Sequence, residues 1–255
     1  MYPEAAELLD IWFADCGSDS RRVADQSRLW FEPSAEQDEF LRQRCGLFLE
    51  RAARGELEIW KGSPQSCLAL VIVFDQLPRS LFRGRAEAFA YDDRALQVSQ
   101  RGVTSGYLEK LQPIEQAFLL MPYQHSESLT VQYEGVSLFE SVTEAAQGEW
   151  RDLLRGFLGF ARQHLEIIER FGRFPHRNRV LDRQSTPEED HYLVYSLAKT
   201  DESRLKQLVS EFNARQKAYN QEQKILSDCL FVTEPEVELI SGICKIKSDQ
   251  PRPAP

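Results

Sequence analysis

The stretch GSPQSCLALVIVF, Gly62–Phe74, decides the fold. Its eight consecutive apolar residues, Cys67–Phe74, suit a buried strand or a helix surrounded on every side. Ser63 stands where an N-cap would. Pro64 would take the first helical position, where its missing N–H has no partner to lose. With helical periodicity in the neighbouring segments, the stretch predicts a central buried helix.

Working outward, Ala5, Leu8, Leu9, Trp12 and Phe13 recur at i, i+3, i+4, i+7 and i+8, one buried helical stripe. Ser34 and Gln37 resemble a capping box, opening a helix whose stripe holds Leu41, Cys45, Phe48 and Ala52 and which ends before Gly55. Downstream, helices are predicted over about Asp92–Arg101 closed by Gly102, over Pro113–Met121 stopped by Pro122, and over Ser128–Val142. The clearest helix spans Glu149–Phe171. Its stripe is Trp150, Leu153, Leu154, Phe157, Phe160, Ala161, His164, Ile168 and Phe171, with Gly172 after its end. Thr186, Pro187 and Glu189 cap the next helix. Beyond about Thr200 the chain turns polar, and a helix from Glu202 to about Leu226 rests on Leu205, Leu208, Phe212 and Tyr219. EPEVELISGICKIK, Glu234–Lys247, stays open between a short helix and a strand. SDQPRPAP, Ser248–Pro255, has too little apolar content to pack. No stretch compels a sheet. The expected architecture is therefore all-α, built of antiparallel helix pairs: a helical domain over 1–200, a helical extension over 201–247 and a disordered tail over 248–255.

A formal charge of −9 excludes a general nucleic-acid binder, which needs a basic face. The longest apolar run is far short of the roughly 20 residues that span a bilayer. MYPEAAELLD has no basic region of the kind that opens a signal peptide. Five cysteines without a C-x-x-C pair read as reduced thiols in a cytoplasm. No nucleotide-binding glycine pattern, nucleophile elbow or H-E-x-x-H is present, so no cofactor is expected. The four histidines, at 125, 164, 176 and 191, match no local metal-ligand spacing and lie near several cations, so no metal is expected either.

Polar residues gather in three segments. In FDQLPRSLFRG, Phe74–Gly84, Asp75 and Gln76 fall at the end of the central helix, and Arg79 and Arg83 lie one turn apart. The two arginines could aim guanidinium forks at a carboxylate or phosphate. Alternatively, Arg79 pairs with Asp75 and Arg83 covers a helix C-terminus. In MPYQHSESLTVQYEG, Met121–Gly135, a tight joint between helices holds His125, Ser126 and Glu127. Capping accounts for Ser126 and Glu127 but does not need the imidazole of His125. In ERFGRFPHRNRVLDR, Glu169–Arg183, Arg170, Arg173, Arg177, Arg179 and Arg183 cannot all point one way. Arg173, His176, Arg177 and Asn178 flank a Pro-fixed turn and are the ones expected to converge. A structural ion-pair network with Asp75, Asp92, Asp93 or Glu127 competes with ligand binding there, because buried arginines are commonly balanced. His164, on the apolar stripe, is a core histidine or a pocket wall.

These motifs, together with Trp12-Phe13, Trp30-Phe31, GELEIW, AYDDRAL, FARQHLEIIERFGRFPHRNRVL and STPEE, resemble over Leu8–Leu197 a bacterial family known as domain of unknown function 924. The resemblance implies an all-helical fold of the tetratricopeptide-like superhelical type and no established reaction. It places Asp75, Gln76, Arg79, Arg83, His125, Ser126, Glu127, Arg173, His176, Arg177 and Asn178 among the signature positions. Asp182 stands where the family has glycine, and Leu77 and Ser80 where it has Phe and Asn. If position 182 needs a positive φ, Asp adopts it less readily than Gly.

Three functions follow as expectations. The first is a concave groove binding an anionic small molecule or an acidic peptide, with Arg79, Arg173 and Arg177 on its oxygens and His125 and His176 donating. The second is a small-molecule hydrolase or transferase with His125 or His176 as general acid or base. The third is a structural adaptor that self-associates through the extension. The first two require Arg79, His125 and Arg177 to meet in space.

Overall fold

The structure, a computed structural model, describes residues 1–16, 19–32, 34–198, 237–240 and 243–246. The chain divides into two compact units, Met1–Arg183 and Gln184–Pro255. The break falls between Arg183 and Gln184.

The first unit holds nine α-helices among its described residues: α1 (Pro3–Phe13), α2 (Val23–Phe31), α3 (Ala35–Ala53), α4 (Pro64–Asp75), α5 (Leu77–Leu81), α6 (Asp92–Thr104), α7 (Pro113–His125), α8 (Leu129–Ala145) and α9 (Gly148–Phe171). The deciding stretch is helical. Every residue of α4 from Ser66 to Asp75 is buried, and α1, α3, α6 and α7 pack around it. Val71, Ile72 and Val73 favour strands, but a helix satisfies its own backbone groups in an interior that offers no neighbouring strand. Burying each large apolar side chain of α4 contributes about 1.5–3 kcal/mol. Ser63 does not cap the helix by its side chain, and its Oγ is buried without a partner.

Beside α4, Phe118 of α7 gathers the aromatic residues of three other helices. Its ring lies 5.9 Å from Trp12, 5.2 Å from Phe13, 4.7 Å from Trp30 and 6.3 Å from Phe157. Trp12 and Phe13 are therefore core, Trp30 is half-buried against them, and Phe31 is exposed. α3 ends in a Schellman motif: Gly55 has φ 82, Gly55 N–H bonds Ala52 O at 2.9 Å, and Glu56 N–H bonds Arg51 O at 3.0 Å. α7, α8 and α9 pack consecutively, and their short connectors reverse the chain. Gly135 lets α8 approach α7 closely, since a Cβ there would lie 2.6 Å from Tyr123 Cβ.

Two helix boundaries and one buried-face assignment differ from expectation. Pro122 does not stop α7, which runs on to His125. Proline removes one backbone bond near the helix end, and the burial of Met121, Tyr123 and Gln124 outweighs that loss. Gly102 lies inside α6, facing Leu119 and Cys67. Phe160 is 57 % exposed rather than on the buried stripe, where Leu158 is found instead.

In the second unit, α10 (Pro187–Ala198) opens with the expected reciprocal cap. Thr186 N–H donates to Glu189 Oε2 at 2.7 Å, and Glu189 N–H to Thr186 Oγ1 at 3.2 Å. β1 (Val237–Ile240) and β2 (Ile243–Ile246) pair antiparallel, with Glu238 opposite Lys245. The expected helical extension over 201–247 is corrected to strand at these eight positions, which are rich in β-branched Val and Ile. The helix predicted over Glu202–Leu226 and the tail over 248–255 lie outside the described residues. Among the described residues, no helix is long and apolar enough to cross a membrane.

Candidate functional site

Because α4 is buried to its end, its last side chain, Asp75, is carried inside and is 0 % exposed. α5 then turns once, bringing Arg79 back onto Asp75: its Nη1 donates to Asp75 O and lies 3.4 Å from Oδ1. Gln76 Nε2 donates to Asp75 Oδ2 at 2.5 Å. His125, the last residue of α7, places Nδ1 2.7 Å from Asp75 Oδ1. Asp92, which opens α6, receives Arg79 Nη2 at 3.1 Å and Arg177 Nη1 at 3.0 Å. Arg177 also donates from Nη2 to His125 O at 3.1 Å. Its guanidinium lies between the rings of Phe89 and Phe174, 4.6 and 4.5 Å from their centroids.

The segment after α9 is pinned by Glu127. This carboxylate accepts a bidentate fork from Arg183 at 2.7 and 3.0 Å and the Phe174 N–H at 2.8 Å. Phe174 is fully buried, 5.4 Å from the His164 ring and 5.5 Å from that of His176. His164 meets His125 edge to face at 6.1 Å and holds Nδ1 2.8 Å from Phe160 O. Asp182 adopts φ 52, a left-handed conformation that glycine takes more readily than aspartate.

The electrostatics divide these groups. Burial alone would raise the Asp75 carboxyl, but Arg79, His125 and Gln76 outweigh it and hold it well below the usual carboxylate range. Asp92 is shifted up by burial and by Asp75, against the pull of Arg79 and Arg177. Burial pushes His125 below its ordinary value, and Arg79 opposes the compensation from Asp75. Burial likewise depresses His164, with Arg177 and Arg79 adding to the effect. His176, though its ring reaches solvent, is pushed down to about 4 by the surrounding atoms and by Arg177. Three carboxylates, Asp75, Asp92 and Glu127, face three guanidiniums, Arg79, Arg177 and Arg183, so the formal charges of this set cancel.

Of the expected site residues, the structure brings together Asp75, Gln76, Arg79, His125, Glu127, His164, His176 and Arg177. Arg83 is not among them. It forms a bidentate pair with Asp38 of α3, both bonds 2.7 Å, on the exposed surface. Asn178 is 1 % exposed and shapes the turn, its carbonyl accepting Arg183 N–H at 2.8 Å. Arg173 is partly buried and makes an interaction of its own. Ser126 serves the joint: its Oγ accepts Ser128 N–H at 3.2 Å and its carbonyl accepts Gln132 Nε2 at 2.7 Å. The forks of Arg79 and Arg177 are held by carboxylates and carbonyls, as the competing ion-pair expectation had it. Phe89 and Phe174, which sandwich Arg177, were not singled out from the sequence, and Arg183 was not separated from its neighbouring arginines.

Among the described residues, no group of three or more His, Cys, Asp or Glu could hold a metal ion. Cys16, Cys45 and Cys67 are buried free thiols, each pushed up to about 11 by desolvation and so unreactive. A cavity of about 230 Å³ lies at the α8–α9 joint, lined by Thr143, Glu144, Arg151 and Arg155. It belongs to the opposite end of α9 from His164, and Arg151 there donates to Ala146 O at 2.7 Å.

The family model for DUF924, bacterial protein of unknown function, matches residues 8–196. The chain belongs to the DUF924 family. A solved structure described as a protein of unknown function, ATU0120 from Agrobacterium tumefaciens, is similar to this DUF924 protein. The two share 32 % identity and a TM-score of 0.62, over 74 % of this chain and 96 % of the other. No curated protein matches the chain. All three polar segments of this DUF924 protein lie inside the matched range.

Proposed function

We propose that this DUF924 protein is a small-molecule hydrolase or transferase in which His125 is the general base and Asp75 its orienting carboxylate. One observation carries the proposal: a fully buried, ionised Asp75 sits 2.7 Å from His125 Nδ1. An ionised carboxylate can only accept, so the proton resides on Nδ1 and Nε2 carries the lone pair. Nε2 has no protein hydrogen-bond partner among the described residues, and the side chain is 13 % exposed.

A water or substrate hydroxyl within hydrogen-bond reach of Nε2 would give up its proton there as it attacks. Asp75 would then face an imidazolium and stabilise it without itself becoming protonated. The depressed value of His125 keeps the base unprotonated at neutral pH. Arg177 bonds the His125 carbonyl and Gln76 holds the other Asp75 oxygen, so both partners are fixed in orientation. An anionic ligand or acidic peptide, the first expectation, would have to displace Asp92 from Arg177, a guanidinium already covered on both faces. The consecutive packing of α7, α8 and α9 supports a tetratricopeptide-like arrangement as the frame.

The test is turnover on a panel of p-nitrophenyl esters and phosphoesters. Wild type should turn over at least one, and His125→Gln should lose about 10²-fold or more. Asp75→Asn should also lower the rate and displace the pH profile. Turnover unchanged in His125→Gln, or none anywhere on the panel, contradicts the proposal.

A further inference from the structure

A second imidazole facing His125 also offers a bare ring nitrogen. His164 holds Nδ1 2.8 Å from Phe160 O, and a carbonyl can only accept, so His164 too carries its proton on Nδ1. The two nitrogens of an imidazole diverge, which leaves each Nε2 directed away from its anchor as an acceptor. With ring centroids 6.1 Å apart and edge to face, one small molecule can reach both rings. The charged groups acting on them are Asp75 from α4, Arg79 from α5, Asp92 from α6 and Arg177 from the segment after α9. These are paired with one another and their formal charges sum to zero.

The geometry points to a ligand class and to a second residue that reads it. The ligand is a small uncharged molecule with two adjacent hydrogen-bond donors, such as vicinal hydroxyls. His164 Nε2 accepts from one donor while His125 Nε2 accepts from the other. The inference rests on the general-base role proposed above, since the hydrogen held by His125 is the one the base removes. Two acceptors complement two donors, whereas an anion would bring further lone pairs against them with no uncommitted guanidinium in the paired set. His164 is thus a specificity residue whose lone pair is fixed by its own helix.

The test is alkylation of the full chain by bromoacetamide and, separately, bromoacetate, in which an unprotonated Nε2 displaces bromide. Rates are normalised to N-acetylhistidine, and sites are read by peptide mass spectrometry on wild type, His125→Gln and His164→Gln. Of the pair His125 and His164, each wild-type molecule should carry the label on one or the other, with addition to the second slowed about tenfold or more, whatever the exposed His176 and the other nucleophiles of the chain take up. Bromoacetamide should be the faster reagent, and each variant should stay reactive at its remaining histidine. Independent labelling of both residues in one molecule would show that they face separate spaces and overturn the inference. Faster reaction with bromoacetate would overturn the uncharged ligand class. A reactive His125 beside an inert His164 would remove His164 and leave the general base standing. Inertness of both, with the variants folded, would overturn the base as well.

Discussion

Replacing Arg177 by methionine separates a structural arginine from a ligand-binding one. In the native arrangement Arg177 is 6 % exposed, donates to Asp92 at 3.0 Å and to the His125 carbonyl at 3.1 Å, and lies between Phe89 and Phe174. Removing one partner of a buried ion pair costs about 3–5 kcal/mol, because the other charge stays desolvated. Asp92 keeps Arg79 at 3.1 Å, and methionine still fills the space between the rings, so the lower end applies, about 3 kcal/mol. For a unit of this size each kcal/mol shifts Tm by about 2–4 °C, giving a drop of about 6–12 °C. The assay is thermal and urea unfolding at neutral pH of Arg177→Met, Asp92→Asn and the double variant. The two changes should be non-additive by about 1 kcal/mol or more, since they remove the same contact. Arg177→Met within about 1 kcal/mol of wild type, or strict additivity, would refute the reasoning and free the Arg177 fork for a ligand.

Further outcomes follow from the same geometry. Gly135→Ala should destabilise by about 1–3 kcal/mol, because its Cβ would lie 2.6 Å from Tyr123 Cβ. Gly102→Ala meets only side-chain atoms, at 3.2 and 3.3 Å, and should stay within about 1 kcal/mol of wild type, helix propensity offsetting the crowding; unfolding curves decide both. Asp182→Gly should raise stability by less than about 1 kcal/mol, since φ 52 suits glycine, and a loss in the same measurement would show that the aspartate side chain holds the turn. Stability should also fall as pH drops below the ordinary histidine value of 6.5. His125, His164 and His176 have folded values below it, so the unfolded chain binds more protons there. His176→Gln should flatten part of that slope between pH 6.5 and about 4, whereas losses tied to Asp75 and Glu127 belong to lower pH.

The helical frame was legible because it rests on local signals. Pro64 at the start of α4, the Thr186–Glu189 cap and Gly172 after α9 each act within one turn of chain, and all three appear where expected. Differences arise where tertiary packing overrides a local rule, as at Pro122 in the last turn of α7 and Phe160 on the solvent side of α9. The site was legible only in part. Spacing along the chain could show that Asp75, His125 and Arg177 carry unusual chemistry for their surroundings. It could not show which carboxylate each arginine meets, because Asp92 and Arg177 are 85 positions apart and their pairing is decided by how α6 and the segment after α9 pack. Phe89 and Phe174 escaped notice for the same reason: an aromatic residue in a sequence reads as core until a cation is found over its face.

The central claim is that Asp75 holds His125 with its proton on Nδ1 and an open lone pair on Nε2. ¹⁵N-resolved NMR of the histidine side chains across a pH titration, with His125 assigned by the His125→Gln variant, measures this directly. At pH 7 His125 should show a protonated Nδ1 and an unprotonated Nε2, should titrate below 6.5, and should titrate lower still in Asp75→Asn. An imidazolium at pH 7, a proton on Nε2, or a titration unmoved by Asp75→Asn would contradict the account.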